Sequence, residues 1–435
     1  MMTGSQNDLV TRVENGAAAG TLLRSYWQPI ALTLELSEKR PLLPVRFFGR
    51  DFVLFRTRDG YGLLDRHCPH RGADLAFGRL EPDGLRCTFH GWKFDRRGAC
   101  LETPAEPEGS RLCARIRQPS YPVIARSGTV FAYLGDGPPP AFPPIDCLVA
   151  PGAHTFAFKG LFECNWLQAL EVGIDPSHAS YLHRFFDDEE ATDDSNVQFR
   201  ANSANSDVPV TRILRDFSRP AIEFEATRYG LQIETTRHIR DEIRHVRVTN
   251  LFFPNAFIIP MSPTVTITQW HVPVDDVNTY WFAIFTSYDA PLDKRAMYEE
   301  RIALYPPPHY RALRNRSNDY LFDPDEQQRS TFTGMGQDVN AHDQWAVESQ
   351  GLIQDRSREH LGTADKCIVA YRKLLIRSIR DMATGTAPMM ACGDLSDLPR
   401  PATIDIVVPE SGWRKNWRTL EARRREQAIW TNVSP

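Results

Sequence analysis

The chain has 435 residues, 42% of them hydrophobic and 24% charged, the composition of an ordinary soluble globule with room for two domains. Its 51 basic and 55 acidic side chains nearly balance, with a formal net charge of -4, so there is no electrostatic footprint for nucleic acid or anionic lipid. No apolar run follows a basic start and no stretch approaches the length of a spanning helix, so neither a signal peptide nor a membrane segment is expected.

Residues 1 to about 25 read as a helical approach that ends in the apolar and aromatic stretch from Leu22 to Trp27. From about Pro44 the pattern changes to the short runs VRFFGR, DFVLFR and YGLLDR, punctuated by Gly, Asp and Arg as in a small antiparallel β domain. Cys68-Pro69-His70 and Cys87-Thr88-Phe89-His90 follow as C-x-H and C-x2-H, separated by a loop rich in Gly and charge. Each pair offers one thiolate and one imidazole to a single metal centre. Zinc fingers pair cysteine with cysteine and histidine with histidine. Mixing them is the pattern of a [2Fe–2S] cluster with two cysteines on one iron and two histidines on the other, the Rieske arrangement. The plainer readings are a structural zinc site, or a disulfide beside two surface histidines. The other six cysteines, Cys100, Cys113, Cys147, Cys164, Cys367 and Cys392, are scattered and read as free thiols of a reducing cytosol. Trp92 and Phe94 start another strand and read as core. Strands continue from 121 to 135. The run from Gly137 to Pro144, with four prolines among Pro138 to Pro143 and a fifth at its end, suits neither helix nor central strand, so the domain boundary falls there.

Past this linker, residues 164 to 178 carry apolar side chains at helical spacing and lead into His178-Ala179-Ser180-Tyr181-Leu182-His183. Two histidines this close, joined by a carboxylate from elsewhere, suit a 2-His-1-carboxylate site for Fe(II) whose open positions accept O2. Ordinary buried or surface histidines are the bland alternative. Between 220 and 290 the runs AIEFEAT, LQIETTRHI, HVRVTNLFF, TVTITQWHV and YWFAIFTSY predict one curved antiparallel sheet with a covered face. Residues 291 to 330 are Pro-rich and charged and read as surface excursions. From His342 a long helical stretch is predicted, with Gly351 and Gly362 as interruptions. The tail after Gly393 reads as irregular, and its basic run Arg423-Arg424-Arg425 as a solvated helix face.

Taken together, the two motifs resemble the Rieske non-heme iron oxygenases, oxygenase component, over nearly the whole chain. The stretch ESQGLIQDRSREHLGTAD is similar to the phthalate dioxygenase branch. The resemblance implies an α+β protein: an N-terminal segment (1–40) packing on the catalytic domain, an all-β Rieske domain (41–145), and a helix-grip catalytic domain (146–435). It implies a cluster on Cys68, His70, Cys87 and His90, and Fe(II) on His178, His183 and an aspartate. That aspartate is Asp343, with Asp338 as its rival. It further implies trimers or stacked trimers, in which Asp175 joins a neighbour's cluster histidine to His178. No G-x-G-x-x-G follows a strand, so NADH is expected to be oxidised by a separate reductase, with or without a ferredoxin. The implied reaction is hydroxylation or O-demethylation, with O2, of an aromatic carboxylate, phthalate-like or a lignin-derived methoxy acid. Such a substrate wants arginine. Arg237, Arg244 and Arg247, on or beside the sheet, are the candidates, and each would be equally at home in a surface ion pair. A Rieske electron carrier without oxygenase activity is the alternative, which leaves the second His/His/Asp set without a use.

Overall fold

Short runs rich in Phe, Val and Leu gain stability by pairing, because a lone strand or hairpin buries too little apolar surface. The computed structural model describes residues 2–186, 201–428 and 430. In it β2 (Leu42–Phe47), β3 (Arg50–Thr57), β4 (Gly60–Asp65) and β9 (Ser120–Tyr121) form one antiparallel sheet in that order. Phe52, Val53, Leu54 and Phe55 of β3 are all fully buried, so both faces of this sheet are covered. A smaller sheet joins β5 (Arg79–Glu81), β6 (Gly84–Arg86), β7 (Lys93–Phe94) and β8 (Cys100–Glu102). Its strands are too short to hold by pairing alone. Lys93 Nζ binds them together, 3.0 Å from Glu81, 2.7 Å from Asp83 and 3.2 Å from Glu102. A third sheet places β11 (Thr129–Ala132) between β1 (Gln28–Leu32) and β10 (Val123–Arg126).

Beyond the irregular run Gly137–Pro144 lies the large sheet. It contains β12 (Thr155–Phe162), β13 (Ala221–Thr227), β14 (Gly230–Arg240), β15 (Ile243–Phe252), β16 (Ala256–Pro260), β17 (Val265–Pro273), β18 (Thr279–Ser287) and β19 (Ile404–Pro409). Every pairing is antiparallel, in the order β12-β18-β17-β16-β15-β14-β13, with β19 also on β15. Along one edge of β15, residues 243–248 pair with β19 and residues 250–252 with β16. The α+β architecture expected from the sequence is therefore present: β sheets first, then a large antiparallel sheet with helices on it.

The helix Trp166–Glu171 packs on that sheet, with Trp166, Leu167 and Leu170 in one buried cluster with Phe257, Trp270 and Trp281. Val10, Leu22 and Leu23 of the N-terminal helices Gly4–Thr11 and Ala18–Arg24 join the same cluster. At the far end of the helix, the buried Glu171 carboxylate binds two guanidiniums: Arg356 at 2.9 Å, itself fully buried, and Arg372 at 2.5 Å. The second of these comes from the long helix Lys366–Ala383.

Four sequence expectations change. Residues 291 to 330 are not simply surface: Lys294–Leu304 and Pro324–Arg329 are helical, and Tyr305, Tyr310 and Arg301 are buried. The late helical stretch is two helices, Val339–Glu348 and Lys366–Ala383, parted by a segment in which Gly351 takes a φ of 95°. The tail is ordered as β19 and the helix Trp413–Gln427. Its basic run is not wholly solvated, because Arg425 lies 3.0 Å from Asp146 and 2.6 Å from Glu421 and Arg424 donates to the Thr403 carbonyl at 2.5 Å. Among the described residues no helix is long and apolar enough to cross a membrane.

The Glu171 clamp sets a measurable expectation. Glu171→Gln leaves the buried Arg356 without its counter-charge, while Arg372 keeps Glu359 at 2.5 Å, and should cost about 3–5 kcal/mol, read as a fall in the urea midpoint. Burial pushes the Glu171 carboxyl up, but Arg356 and Arg372 outweigh it and hold the group below its ordinary range. A depressed carboxyl stabilises above its unfolded value of about 4.3, and that stability is lost as pH falls through the folded value. The gap between wild type and Glu171→Gln should therefore shrink in acid. A gap of equal size at about pH 7 and about pH 3 would remove the charge from the explanation.

Candidate metal centres

The two Cys/His loops are built alike. Each cysteine N–H donates to the carbonyl five residues on, Cys68 to Ala73 and Cys87 to Trp92, both at 2.8 Å. Each cysteine carbonyl accepts from the glycine four residues on, Gly72 at 2.8 Å and Gly91 at 3.0 Å. Gly72 and Gly91 have φ of 76° and 74°, a conformation that a side chain disfavours. Asp74 receives a forked bond from Arg66, with contacts of 2.9 and 2.6 Å, which braces the first loop.

This geometry turns the cysteines inward and the histidines outward. Cys68 and Cys87 are each 3% exposed, and their thiols adjoin. His70 is exposed and His90 half-buried, with ring centroids 4.5 Å apart. The Trp92 indole stacks flat on His70 at 4.5 Å, so it does more than fill the core. Burial, and then the neighbouring Cys87, push the Cys68 thiol up to about 11. Two adjoining buried thiols call for a cation, because metal binding is what draws off their protons. With two sulfurs on one side and two imidazoles on the other, the set fits a [2Fe–2S] cluster of the mixed kind.

The second centre draws on three chain segments. The residue before a proline disfavours the helical region. Asp175, before Pro176, is extended with φ of -93° and ψ of 107°, which ends the helical run and swings the chain towards His178. His178 Nδ1–H donates to the Asp175 carbonyl at 2.5 Å. The Asp175 carboxylate instead accepts from Ser177 N–H at 2.8 Å, so its link to His178 runs through the main chain. Asp343 projects from the helix Val339–Glu348. The Nε2 atoms of His178 and His183 stand 3.2 Å apart, and Asp343 Oδ1 lies 3.3 Å from His183 Nε2 and 3.7 Å from His178 Nε2. Asp338 is outside this group. It caps the same helix by accepting from Asn340 N–H at 3.2 Å, and it accepts from the Tyr305 hydroxyl at 3.2 Å.

Three electron-rich atoms thus face one another in a largely buried place, and Asp343 Oδ1 has no hydrogen-bond partner among the described residues. Burial pushes Asp343 up to about 6, His183 down to about 3, and His178 down. Each shift disfavours the charged form, as expected of ligands without a cation. Atoms bound to one ion at about 2.1 Å and at right angles stand roughly 3 Å apart, close to what is seen. The donor set therefore fits a divalent metal with open positions.

Beside these residues lies a cavity bordered by Ile174, Leu214, Thr235, Arg247, Phe257 and Ile259. Arg247 is held there by Asp405 at 2.7 Å and by the Pro260 carbonyl at 2.8 Å. Arg237, two residues along β14 from Thr235 and so on the same face, is 2% exposed. Its Nε–H donates to the Phe217 carbonyl, yet neither terminal nitrogen has a partner among the described residues, and burial pushes it down to about 10. Arg244 is separated from both. Strand alternation turns it to the other face with Val246 and Val248, where it forks onto Glu410 and lies over Trp413.

Two family models match the chain: the Rieske [2Fe-2S] domain over residues 26–122, and the LigXa C-terminal domain like family over residues 134–435. The phthalate 4,5-dioxygenase oxygenase subunit of Pseudomonas putida is 30% identical, over 97% of this chain and 95% of its own. The chain belongs to the Rieske non-heme iron oxygenases, as an oxygenase component of the phthalate dioxygenase branch. The 5,5'-dehydrodivanillate O-demethylase oxygenase subunit of Sphingobium sp. is 32% identical, over 89% of this oxygenase component and 83% of that one. The tert-butanol monooxygenase / tert-amyl alcohol desaturase oxygenase subunit of Aquincola tertiaricarbonis is 31% identical, over 87% and 77%. In fold, the oxygenase component matches the QL mutant of NdmA of Pseudomonas putida CBB5 with theobromine, with a TM-score of 0.59 at 18% identity, over 90% of this chain and 98% of that one. As a Rieske oxygenase it is an oxidoreductase with two cofactors, a [2Fe–2S] cluster and a mononuclear iron. The electron-carrier alternative is not favoured, because the relatives are oxygenase subunits.

Sequence reasoning missed two side chains at these centres. Trp92 was read only as core. His342, directly before Asp343 in sequence, is fully buried with its ring 5.7 Å from that of His183. The sole sequence signal was a histidine adjoining the candidate aspartate.

The twin loops differ in what a methyl group would meet. At Gly72 nothing lies within 4 Å, whereas at Gly91 the added carbon would sit 2.8 Å from Pro104 Cγ. Gly72→Ala should cost about 1–2 kcal/mol of backbone strain alone, and Gly91→Ala more. On warming, the visible absorbance of the cluster should bleach faster in Gly91→Ala than in Gly72→Ala. Equal rates would show that Pro104 yields freely.

Proposed function

We propose that this Rieske oxygenase component hydroxylates or O-demethylates an aromatic carboxylate. In this reading Cys68, His70, Cys87 and His90 hold the cluster, and His178, His183 and Asp343 hold Fe(II). The observation that carries the substrate class is Arg237: a buried guanidinium whose two terminal nitrogens have no partner among the described residues, on the face that borders the iron-side cavity. A buried cation without a partner is costly, and a carboxylate is the group that a guanidinium meets with two hydrogen bonds. Arg247 is already neutralised by Asp405. Phthalate and dehydrodivanillate, in the names of two relatives, are aromatic carboxylates; tert-butanol, in the third, is neutral. Arg237, and not the branch, is therefore what favours an acid.

When bound, iron activates O2 and the cluster delivers electrons one at a time. The chain's own residues do the rest. The Asp175 carbonyl holds the His178 proton on Nδ1, so that Nε2 faces the centre. Ile174, Leu214, Phe257 and Ile259 keep water from the cavity and give an aromatic ring its apolar wall. Arg237 fixes the carboxylate end and so decides which ring position faces the iron.

The partners we propose are a separate NADH-dependent reductase, with or without a ferredoxin, in the cytoplasm. The exposed His70 and the half-buried Asp175 support electron transfer across a trimer interface, from one subunit's cluster to the next subunit's iron. The division of the chain that we propose is a cluster domain and a catalytic domain parted near residue 145.

His183→Ala or Asp343→Ala should abolish the mononuclear iron and all product, while the cluster's EPR signal stays. Retained iron and turnover in Asp343→Ala would pass the role to another carboxylate. Arg237→Met should raise KM for the aromatic acid about 10–100-fold, the worth of a lost charged hydrogen bond, and leave its methyl ester nearly unaffected. Because it removes an uncompensated buried charge, it should not lower Tm. Fast turnover of neutral arenes with inert carboxylates would overturn the substrate class.

A further inference from the structure

An imidazole that binds a metal through Nε2 must carry its proton on Nδ1, and something must receive that proton. For His178 the receiver is the Asp175 carbonyl. For His183, Nδ1 faces Nδ1 of His342 at 3.5 Å, the outer limit of a hydrogen bond. Two ring nitrogens in contact need one proton between them. His342 Nε2 decides where it sits, because that atom lies 2.8 Å from the Gly336 carbonyl, and a carbonyl only accepts. The neutral His342 ring therefore has its proton on Nε2 and a lone pair on Nδ1. That lone pair can accept from His183 Nδ1–H, which leaves His183 Nε2 bare and aimed at His178 and Asp343.

The far end of this chain of bonds is itself fixed. Gly336 N–H donates to Glu326 Oε1 at 2.7 Å, and the same oxygen accepts from the Thr331 hydroxyl at 2.6 Å. A side chain at position 336 would strike the Arg314 guanidinium at 2.8 Å, and φ there is 78°, so the turn is set for glycine. His342 is 0% exposed and its ring lies within 24° of parallel to that of His183.

We propose that His342 is a positioning residue that sets the tautomer and the orientation of His183. The path runs from Gly336 O through the Nε2–H and Nδ1 of His342 to the Nδ1–H of His183. This rests on the reading of His183 as an iron ligand. It gives His342 a role distinct from packing: an apolar ring or branched chain of similar size would fill the space and lose the acceptor.

The test uses the cluster-loaded chain, stripped of mononuclear iron with a chelator and titrated with Co(II) by calorimetry. His342→Leu should weaken Co(II) binding about 10–100-fold, as loss of an outer-shell partner does, with the cluster spectrum unchanged. His342→Asn, whose Oδ1 can stand where Nδ1 stood, should recover most of that affinity. A packing role would lower Tm equally in both variants and leave the Kd of folded protein at its wild-type value; that outcome overturns the proposal. His183→Ala is the control. If it binds Co(II) like wild type, the iron-site reading fails; if it loses Co(II) while His342→Leu does not, only the present proposal fails. Should His342→Leu not fold, NMR of the Zn(II)-loaded wild type with isotope-labelled histidine decides. It should give Nε2–H for His342 and Nδ1–H for His183, and the reverse tautomers would overturn the proposal.

Discussion

Two imidazole nitrogens and one carboxylate oxygen are held within 3.7 Å of one another, on one buried side chain and two half-buried ones, with every pair repelling. Left to itself such a group would swing apart or take up protons. Much of the catalytic domain can be understood as what prevents this. Pro176 forces the turn that presents His178. Glu171, clamped by Arg356 and Arg372, anchors the helix that leads into that turn. Asp338, spent as a cap, starts the helix that carries Asp343. His342 backs His183 from the other side. None of these side chains is among the three at the centre, yet each removes a way for the three to relax, and preorganisation of this kind is what a metal site needs. The cation repays the repulsion on binding.

The cluster site solves a different problem by different means. It lies in two loops, one leading from β4 to β5 and one from β6 to β7, and its order comes from hydrogen bonds repeated in the two loops and from ion pairs beneath them. The twin Cys…Gly turns bury the thiols and leave an imidazole at the surface. That asymmetry gives the cluster one insulated side and one side open to a partner. Across the chain, charge is handled in the same economical way. On the large sheet, Asp405 of β19 receives both Arg247 and His245, at 2.7 and 3.0 Å, which closes the account for one arginine of the cavity wall and leaves its neighbour Arg237 open.

The Cys68/His70/Cys87/His90 set and the His178/His183 pair were legible in the sequence because each is local: spacing within a few residues reports directly on a shared ligand. Asp343 was reachable only through resemblance, since its partners lie some 160 positions away and no periodicity links them. Five strands of the large sheet could be read from their closely spaced apolar runs. β12 and β16 could not, the first because it stands apart from those runs and carries Lys159 and Gly160, and the second because it is short and follows Pro254. β19 was invisible for a stronger reason. Its partner β15 is far upstream, and the runs around it, with Pro401, Pro409 and Gly412, look like loop. The basic run at 423–425 misled because charge alone does not say whether a helix face meets water or, as for Arg425, a buried acid. Among the arginines, only strand pairing could separate Arg244 from Arg237 and Arg247, since neighbours in sequence point to opposite faces.

What decides the matter is whether one chain stores electrons at its surface and uses them at its second site on an aromatic acid. A single-turnover experiment asks this directly: the chain, loaded with both iron centres, is reduced photochemically without any reductase and mixed with isotope-labelled O2 and a panel of aromatic acids. The cluster should reoxidise when an acid is present, with labelled oxygen in the product, or with formaldehyde released from a methoxy acid, in proportion to the electrons stored. Reoxidation with no oxygenated or demethylated acid from any member of the panel, while neutral compounds of the same size are transformed, would contradict this reading.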